Sequence, residues 1–221
     1  MKAVTYFADV ACLRDNDMIT LWRRSWERHG WDAVVLSEQD AVNADLDLFE
    51  ILQDSPLLKS CPGNPPDYVL ACVARWVAYM GLGPEPALHL DWDVIGNGFT
   101  PDDALRLMDG DRPVFLAGDL CPCATLGTGK TWAMLAHWMD MAPYAPGFSA
   151  AKLLTDNSDQ YAIAYVMPKE WATIARPAPC KFVREGEDWE HAPMIHFPNR
   201  LCGHPRSATV RSVMAQLGRP L

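Results

Sequence analysis

Residues 3–36 constrain the fold more than any other part of the chain. Ala3 to Ala8 is a short apolar run that stops at Asp9 and reads as a strand. Met18 to His29 then carries Met18, Ile19, Trp22 and Trp26 at the spacing of one helix face, and Gly30 is a natural stop. Trp31 to Leu36 is a second strand. Strand, helix and strand in succession predict a right-handed parallel unit. A chain that starts this way builds an open α/β sheet, which binds ligands beyond the carboxyl ends of its strands.

The rhythm continues. Asp67 to Met80 places Tyr68, Cys72, Trp76 and Tyr79 or Met80 on one helix face before Gly81, and Ala87 to Leu90 is a buried strand ending at Asp91-Trp92-Asp93. Thr100-Pro101-Asp102-Asp103 is a helix start, with a Thr cap, Pro in the first turn and acids at the positive end of the helix. Val114 to Ala117 is another strand. Cys121 to Thr131 is rich in Gly, Pro and Thr and predicts a loop before a helix holding Trp132, Leu135, Ala136 and Met139. Ser158-Asp159-Gln160 opens a short helix ahead of the apolar run Tyr161 to Met167. From about residue 168 the prolines predict an irregular segment, until Ser207 to Leu217 closes with a helix. The expectation is one domain over residues 1–221, without internal repeats.

Composition narrows the function classes. With 49% hydrophobic residues the chain can bury a substantial core. A net charge of −9 disfavours nonspecific binding to nucleic acid or a membrane surface, and a negatively charged substrate needs a local cation or arginine. No window approaches the roughly 18 apolar residues of a membrane span, and the N-terminus lacks an export pattern, so an unexported cytoplasmic protein is expected. Seven cysteines at irregular spacing fit reduced thiols. Cys121-Pro122-Cys123 and Cys202-Gly203-His204 are shorter than a zinc knuckle, and packed thiols are the simpler reading.

Asp91 and Asp93 are one of four Asp-x-Asp spacings, and their context separates them from the rest. Asp17 of the Asp15/Asp17 pair reads as a helix N-cap, Asp109-Gly110-Asp111 as a turn, and Asp45/Asp47 as a solvated helix start. Only Asp91 and Asp93 follow a buried strand. Alternation in an extended strand would put both carboxylates on the same side, aimed at one cation. A competing motif, Ala124 to Thr131, comes within one residue of a P-loop, with Ala124 where its first Gly belongs and a proline-containing insertion before it.

Arg75-Trp76-Val77-Ala78-Tyr79-Met80-Gly81 followed by Leu88-His89-Leu90-Asp91-Trp92-Asp93-Val94 resembles the signature of GT-A fold glycosyltransferases of the Asp-x-Asp sugar-transferase type. Ser158-Asp159-Gln160 is similar to the Asp-Gln element of glycogenin-like transferases, and Ile195-His196-Phe197 to their late His-Phe. The ordered set spans most of the chain. The resemblance implies an α/β fold, GT-A-like (Rossmann-like), with a mixed, mainly parallel sheet flanked by helices. It also implies a retaining transfer of a hexose from a nucleotide sugar, with a UDP-sugar first among donors, to a glycan, protein or lipid acceptor.

The cofactor implied is Mn2+ (or Mg2+), held by Asp93, His196 and Asp91, the last either as a ligand or as a contact to the ribose or to a metal-bound water. The resemblance further implies that Arg75 and Asp91, with Tyr6, Phe7 and Ala8 at the end of the first strand, would bind the donor, core packing being the other reading of the aromatics. Asp159 and Gln160 would be the catalytic pair, with Asp159 orienting the acceptor or donor sugar or else capping a helix. The chain departs from the pattern at Cys72, where the family commonly has Asp, and in lacking Lys-Pro-Trp after His-Phe, with Arg200 as the nearest cation.

The chemistry supports the resemblance. A nucleoside diphosphate leaves only when its charge is neutralised, which a divalent cation does as a Lewis acid. Carboxylates suit magnesium or manganese, and an imidazole tilts the choice to manganese. The alternatives are a noncatalytic nucleotide-sugar or carbohydrate-binding protein and, third, a P-loop-like phosphotransferase using residues 124–131.

Overall fold

The computed structural model describes residues 1–8, 15–59, 66–118, 120–146, 148, 158–183, 188–198 and 205–221. Strands β1 (Lys2–Tyr6) and β2 (Asp32–Leu36) pair in parallel, Lys2 opposite Asp32 through Tyr6 opposite Leu36. The helix between them, α1 (Asn16–Glu27), buries Met18, Leu21, Trp22 and Trp26, and Gly30 ends the turn after it at φ +84°. Asp15, rather than Asp17, caps α1: its carboxylate accepts from the Met18 N–H at 3.2 Å. The cap therefore sits two residues earlier than the apolar spacing suggests, and Asp17 is left on the surface, paired with Arg211 at 3.1 Å.

Helices α2 (Glu38–Ala44), α3 (Leu46–Gln53, capped by Asp45), α4 (Pro56–Lys59) and α5 (Pro66–Met80) follow. Strand β3 (Ala87–Leu90) lies in parallel on the other side of β1. A short β4 (Val94–Gly96) then leaves the sheet, and α6 (Pro101–Leu107) begins with the predicted Thr100–Asp103 capping box. Strands β5 (Val114–Phe115) and β6 (Ala124–Gly127) and helix α7 (Gly129–Met141) come next. The rest comprises α8 (Ser158–Val166), β7 (Thr173–Ile174), β8 (Cys180–Phe182), β9 (Met194–His196) and α9 (Arg206–Gln216).

The main sheet has the order β2-β1-β3-β6-β5-β7. Only β6 runs against the others, antiparallel to both β3 and β5, so the sheet is mostly parallel. Successive residues face opposite layers. Ala3, Leu88 and Leu126 join a core with α1 and α9, whereas Val4, Ala87 and Phe115 join one with α5 and α7, where Trp76 and Trp132 stack. A second sheet, β4-β9-β8, gives order to the C-terminal part, which is less irregular than its prolines suggest.

The segment expected as a loop corrects the phosphate motif. Ala124 to Gly127 is a fully buried strand in the middle of the sheet, because burial on both faces overrides weak local strand propensity. Its glycines serve close packing. A Cβ on Gly127 would lie 2.6 Å from Thr131 Cγ2, and one on Gly129 would lie 2.5 Å from the Gly83 carbonyl oxygen. Lys130 is exposed and pairs with Asp111 at 3.1 Å, so residues 124–131 do not form a loop whose lysine converges on a phosphate.

Candidate active site

Strand β3 stops at Leu90, and Asp91-Trp92-Asp93 is a turn rather than a continuation of it. The Val94 N–H donates to the Asp91 carbonyl at 2.9 Å, and the Asp91 N–H donates to the Cys123 carbonyl at 2.8 Å. The carboxylates are therefore brought to one side by a turn, which corrects the alternation argument. Antiparallel pairing sets Val94 opposite His196, and the Phe197 N–H donates to the Asp93 carbonyl at 3.0 Å. One carboxylate oxygen each from Asp91 and Asp93 and a ring nitrogen of His196 lie within 4.8 Å of one another.

Two arginines close the cluster. Arg75, on α5, donates from Nη1 to Asp91 Oδ1 at 2.5 Å and from Nη2 to Asp159 Oδ2. Asp159 is fixed at the start of α8, where its other oxygen accepts from the Gln160 N–H at 3.0 Å. Arg206, the first residue of α9, donates from Nη1 to Asp93 Oδ2 and lies over the Trp92 ring, 4.3 Å from its centroid. Three carboxylates thus face two guanidiniums and an imidazole. All are buried except Asp91, whose side chain is 27% exposed and is the carboxylate most open to a ligand.

The environment shifts the titrating groups. For His196, burial is the largest single influence and lowers the pKa, but Asp93 together with Asp91 and Cys121 outweighs it and the value is raised. Burial would raise Asp93, yet His196 and Arg206 together hold it below the usual carboxylate value. Burial pushes Asp159 up against the opposing pull of Arg75. Cys72 is pushed up to about 12, by burial first and then by the Asp159 charge, so the thiol stays protonated where the family pattern has a carboxylate. His89, buried behind Asp91 with Nδ1 2.7 Å from the Tyr79 hydroxyl, is driven well down by burial and by Arg75 and stays neutral.

The residues fit a divalent cation. Asp93 Oδ1 is buried with no hydrogen-bond partner, and His196 Nε2 lies 3.2 Å away as an ion-pair neighbour. An orphaned carboxylate oxygen beside a ring nitrogen and a half-open carboxylate is an oxygen-rich donor set with one imidazole, suited to manganese or magnesium.

No protein-family profile matches the chain, and a search of curated proteins returns no significant match. Solved structures do match. The glycosyltransferase GlyE of Streptococcus pneumoniae superposes with a TM-score of 0.56 at 13% identity over 99% of this chain. An active-site mutant of LgtC gives a TM-score of 0.55 at 12% identity, covering 98% of this chain and 96% of that one. The fold is that of a GT-A glycosyltransferase. The chain spans 62% of the length of the GlyE chain.

Within this GT-A fold the sequence-derived residues are brought together unequally. Asp91, Asp93, His196, Arg75 and Asp159 form one cluster, and Gln160 is half-buried next to Asp159. Phe7 reaches the site's edge, its ring packed edge-on against Trp92 with centroids 5.9 Å apart, and Ala8 follows it half-buried. Tyr6 points into the packed layer behind the sheet, where burial and then Glu38 and Asp40 raise its pKa. Arg206 is the residue the sequence reading missed. It precedes the expected Ser207 helix, and no pattern marks an arginine as buried when its partner lies 113 residues away. Arg200, Cys202 and His204 lie outside the described residues. Cys121 and Cys123 are free thiols with their sulfurs 3.4 Å apart.

Proposed function

We propose that this chain transfers a hexose from a nucleotide-diphosphate sugar, a UDP-sugar first, to a glycan, protein or lipid acceptor, with retention and with Mn2+ or Mg2+ bound at Asp91, Asp93 and His196. The observation that carries the reading is the buried, orphaned Asp93 Oδ1 facing His196 beside the half-open Asp91 in a GT-A fold. When bound there, the cation supplies Lewis-acid neutralisation of the departing diphosphate. The protein's own contribution is preorganisation. Arg75 holds Asp91 and Asp159 in fixed places, so their charges need no rearrangement as the donor bond polarises.

Asp159 has one oxygen on Arg75 and the other on a backbone N–H, so it acts by orienting the donor sugar with Gln160, while Phe7 and Ala8 border the base. A cytoplasmic setting fits the free thiols of Cys72, Cys121, Cys123 and Cys180. Among the described residues no helix is long and apolar enough to cross a membrane.

Thermal shift with UDP and UDP-sugars, with and without Mn2+, is the direct test, since a ligand that binds only the folded state raises its melting temperature. The expected result is a shift requiring both Mn2+ and the nucleotide, together with Mn2+-dependent donor hydrolysis or transfer, both lost in Asp93→Asn. Asn is chosen because Ala would strand Arg206 without its buried partner. Full Mn2+-dependent activity in Asp93→Asn sinks the assignment. Mn2+-dependent UDP binding without turnover of any donor makes the protein a noncatalytic nucleotide-sugar binder.

A further inference from the structure

Behind Asp91, the face of β3 turned to α5 carries two polar side chains inside an aromatic layer. The His89 ring lies between Trp76 and Tyr79, with each centroid 5.0 Å from its own. The Tyr79 hydroxyl is 2.7 Å from His89 Nδ1, and both residues are buried. The other ring nitrogen, Nε2, is buried without a hydrogen-bond partner and stands 3.6 Å from Asp91 Oδ1. The Pro122 carbonyl near the ring accepts from the Thr125 hydroxyl at 3.2 Å and makes no hydrogen bond with Nε2. A neutral imidazole carries one N–H, and its partners decide which nitrogen bears it. Nδ1 is the one hydrogen-bond partner of the Tyr79 hydroxyl among the described residues, so the phenol proton is directed there. The ring N–H then falls on Nε2 and faces a carboxylate. The reverse tautomer would leave the buried Tyr79 O–H without an acceptor and turn a lone pair on the Asp91 charge.

We propose that Tyr79 and His89 form a buried relay that positions Asp91, drawing its Oδ1 inward so that Oδ2 is the oxygen offered to the cation. The inference deepens the metal reading of Asp91, Asp93 and His196 and rests on it. Arg75 Nη1 donates to the same Oδ1 at 2.5 Å, while Oδ2 accepts no hydrogen bond from the described residues. At 3.6 Å the His89 contact is longer than a hydrogen bond, so it acts as a dipole directed at the carboxylate. Arg75 alone would hold the oxygen and leave the carboxylate plane free to turn. A second donor, reaching Oδ1 from β3 rather than α5, fixes that plane. His89 is thus a positioning residue that touches no ligand, and Tyr79 acts through it by setting the tautomer. Partners of this kind orient metal ligands and tune their affinity.

Two measurements test the relay. Nitrogen-15 NMR of labelled histidine rings in the metal-free protein reads the tautomer, and calorimetric titration of Mn2+ reads its consequence. The signal absent from His89→Gln should show the Nε2–H tautomer in the wild type and a mixture of tautomers in Tyr79→Phe, which keeps the ring and loses the hydroxyl. Tyr79→Phe is expected to bind Mn2+ about threefold more weakly, the scale of one neutral hydrogen bond. His89→Leu should bind it about tenfold more weakly. His89→Gln, which keeps an N–H able to reach Asp91, should recover most of that loss. Leu suits the apolar layer, so a His89 that merely packs there would leave Mn2+ affinity unchanged in His89→Leu. That result, or the Nδ1–H tautomer in the wild type, overturns the relay, and the metal reading stands provided that the wild type binds Mn2+ and Asp93→Asn does not. No Mn2+ binding by the wild type, with or without UDP, overturns the metal reading and the role of the relay with it, whatever the tautomer.

Discussion

On one side of the Asp91-Trp92-Asp93 turn a guanidinium sits between two carboxylates; on the other a carboxylate sits between a guanidinium and an imidazole. The Arg75 half is built from α5 and α8, and the histidine beside it, His89, is driven well down by burial and by Arg75. The Asp93 half is built from β9 and α9, and His196 there can gain or lose a proton. The first arrangement suits a rigid support for Asp91 and Asp159. The second leaves Asp93 Oδ1 facing His196 without a hydrogen bond, the feature on which the proposed cation site depends.

Breaking the Arg75 half should have the larger effect. Arg75→Met leaves Asp159, 2% exposed at its side chain, without a counter-ion, and unfolding by urea should show a loss of about 3–5 kcal/mol. A loss below about 1 kcal/mol, the level of a surface pair, would mean that Asp159 is held neutral, and the two halves would no longer differ in kind. Arg206→Gln should cost less, about 1–3 kcal/mol by the same measurement, because His196 can remain charged beside Asp93. Equal losses for the two variants would remove the contrast.

Protonation sharpens the same comparison. The folded pKa of His196 is raised, so its contribution to stability is complete below its unfolded value near 6.5 and is lost as pH rises through the folded value. Asp93 is depressed, so its contribution is present above its unfolded value near 3.8 and is lost as pH falls through the folded one. Melting temperature measured against pH should therefore decline on the alkaline side in the wild type, and His196→Gln should flatten that decline. The smallest effect is expected outside both halves. Lys130→Ala removes an exposed pair with Asp111 and should leave the UDP-induced thermal shift unchanged; losing that shift would revive the phosphate-loop reading.

The first half of the site was legible in the sequence, and the second only in part. Arg75 stood out as an arginine inside an apolar helical face, where a buried charge demands a partner, and the Asp-x-Asp pair stood out by following a buried strand. His196 was recognisable through its resemblance to a late His-Phe element. Arg206 carried no such mark, because α9 has no strong apolar face to make an arginine conspicuous and the tie from the Asp15 carboxylate to the Ser207 N–H that places it is formed across 192 residues. The strand Ala124 to Gly127 was missed for a related reason. Its Gly- and Thr-rich composition spells a turn locally, while its burial between β3 and β5 is a fact of the whole sheet.

The sequence by itself determined the elements that local periodicity and capping control: the β1-α1-β2 unit, α5, β3, and the start of α6. It also determined which residue types were available for metal and diphosphate chemistry. Tertiary structure alone decided that Asp91 and Asp93 meet by a turn, that β6 reverses inside the sheet, and that Arg206 comes to rest on Asp93. These outcomes depend on contacts between distant segments, and their energies come from burial and charge pairing that exist only after the segments meet.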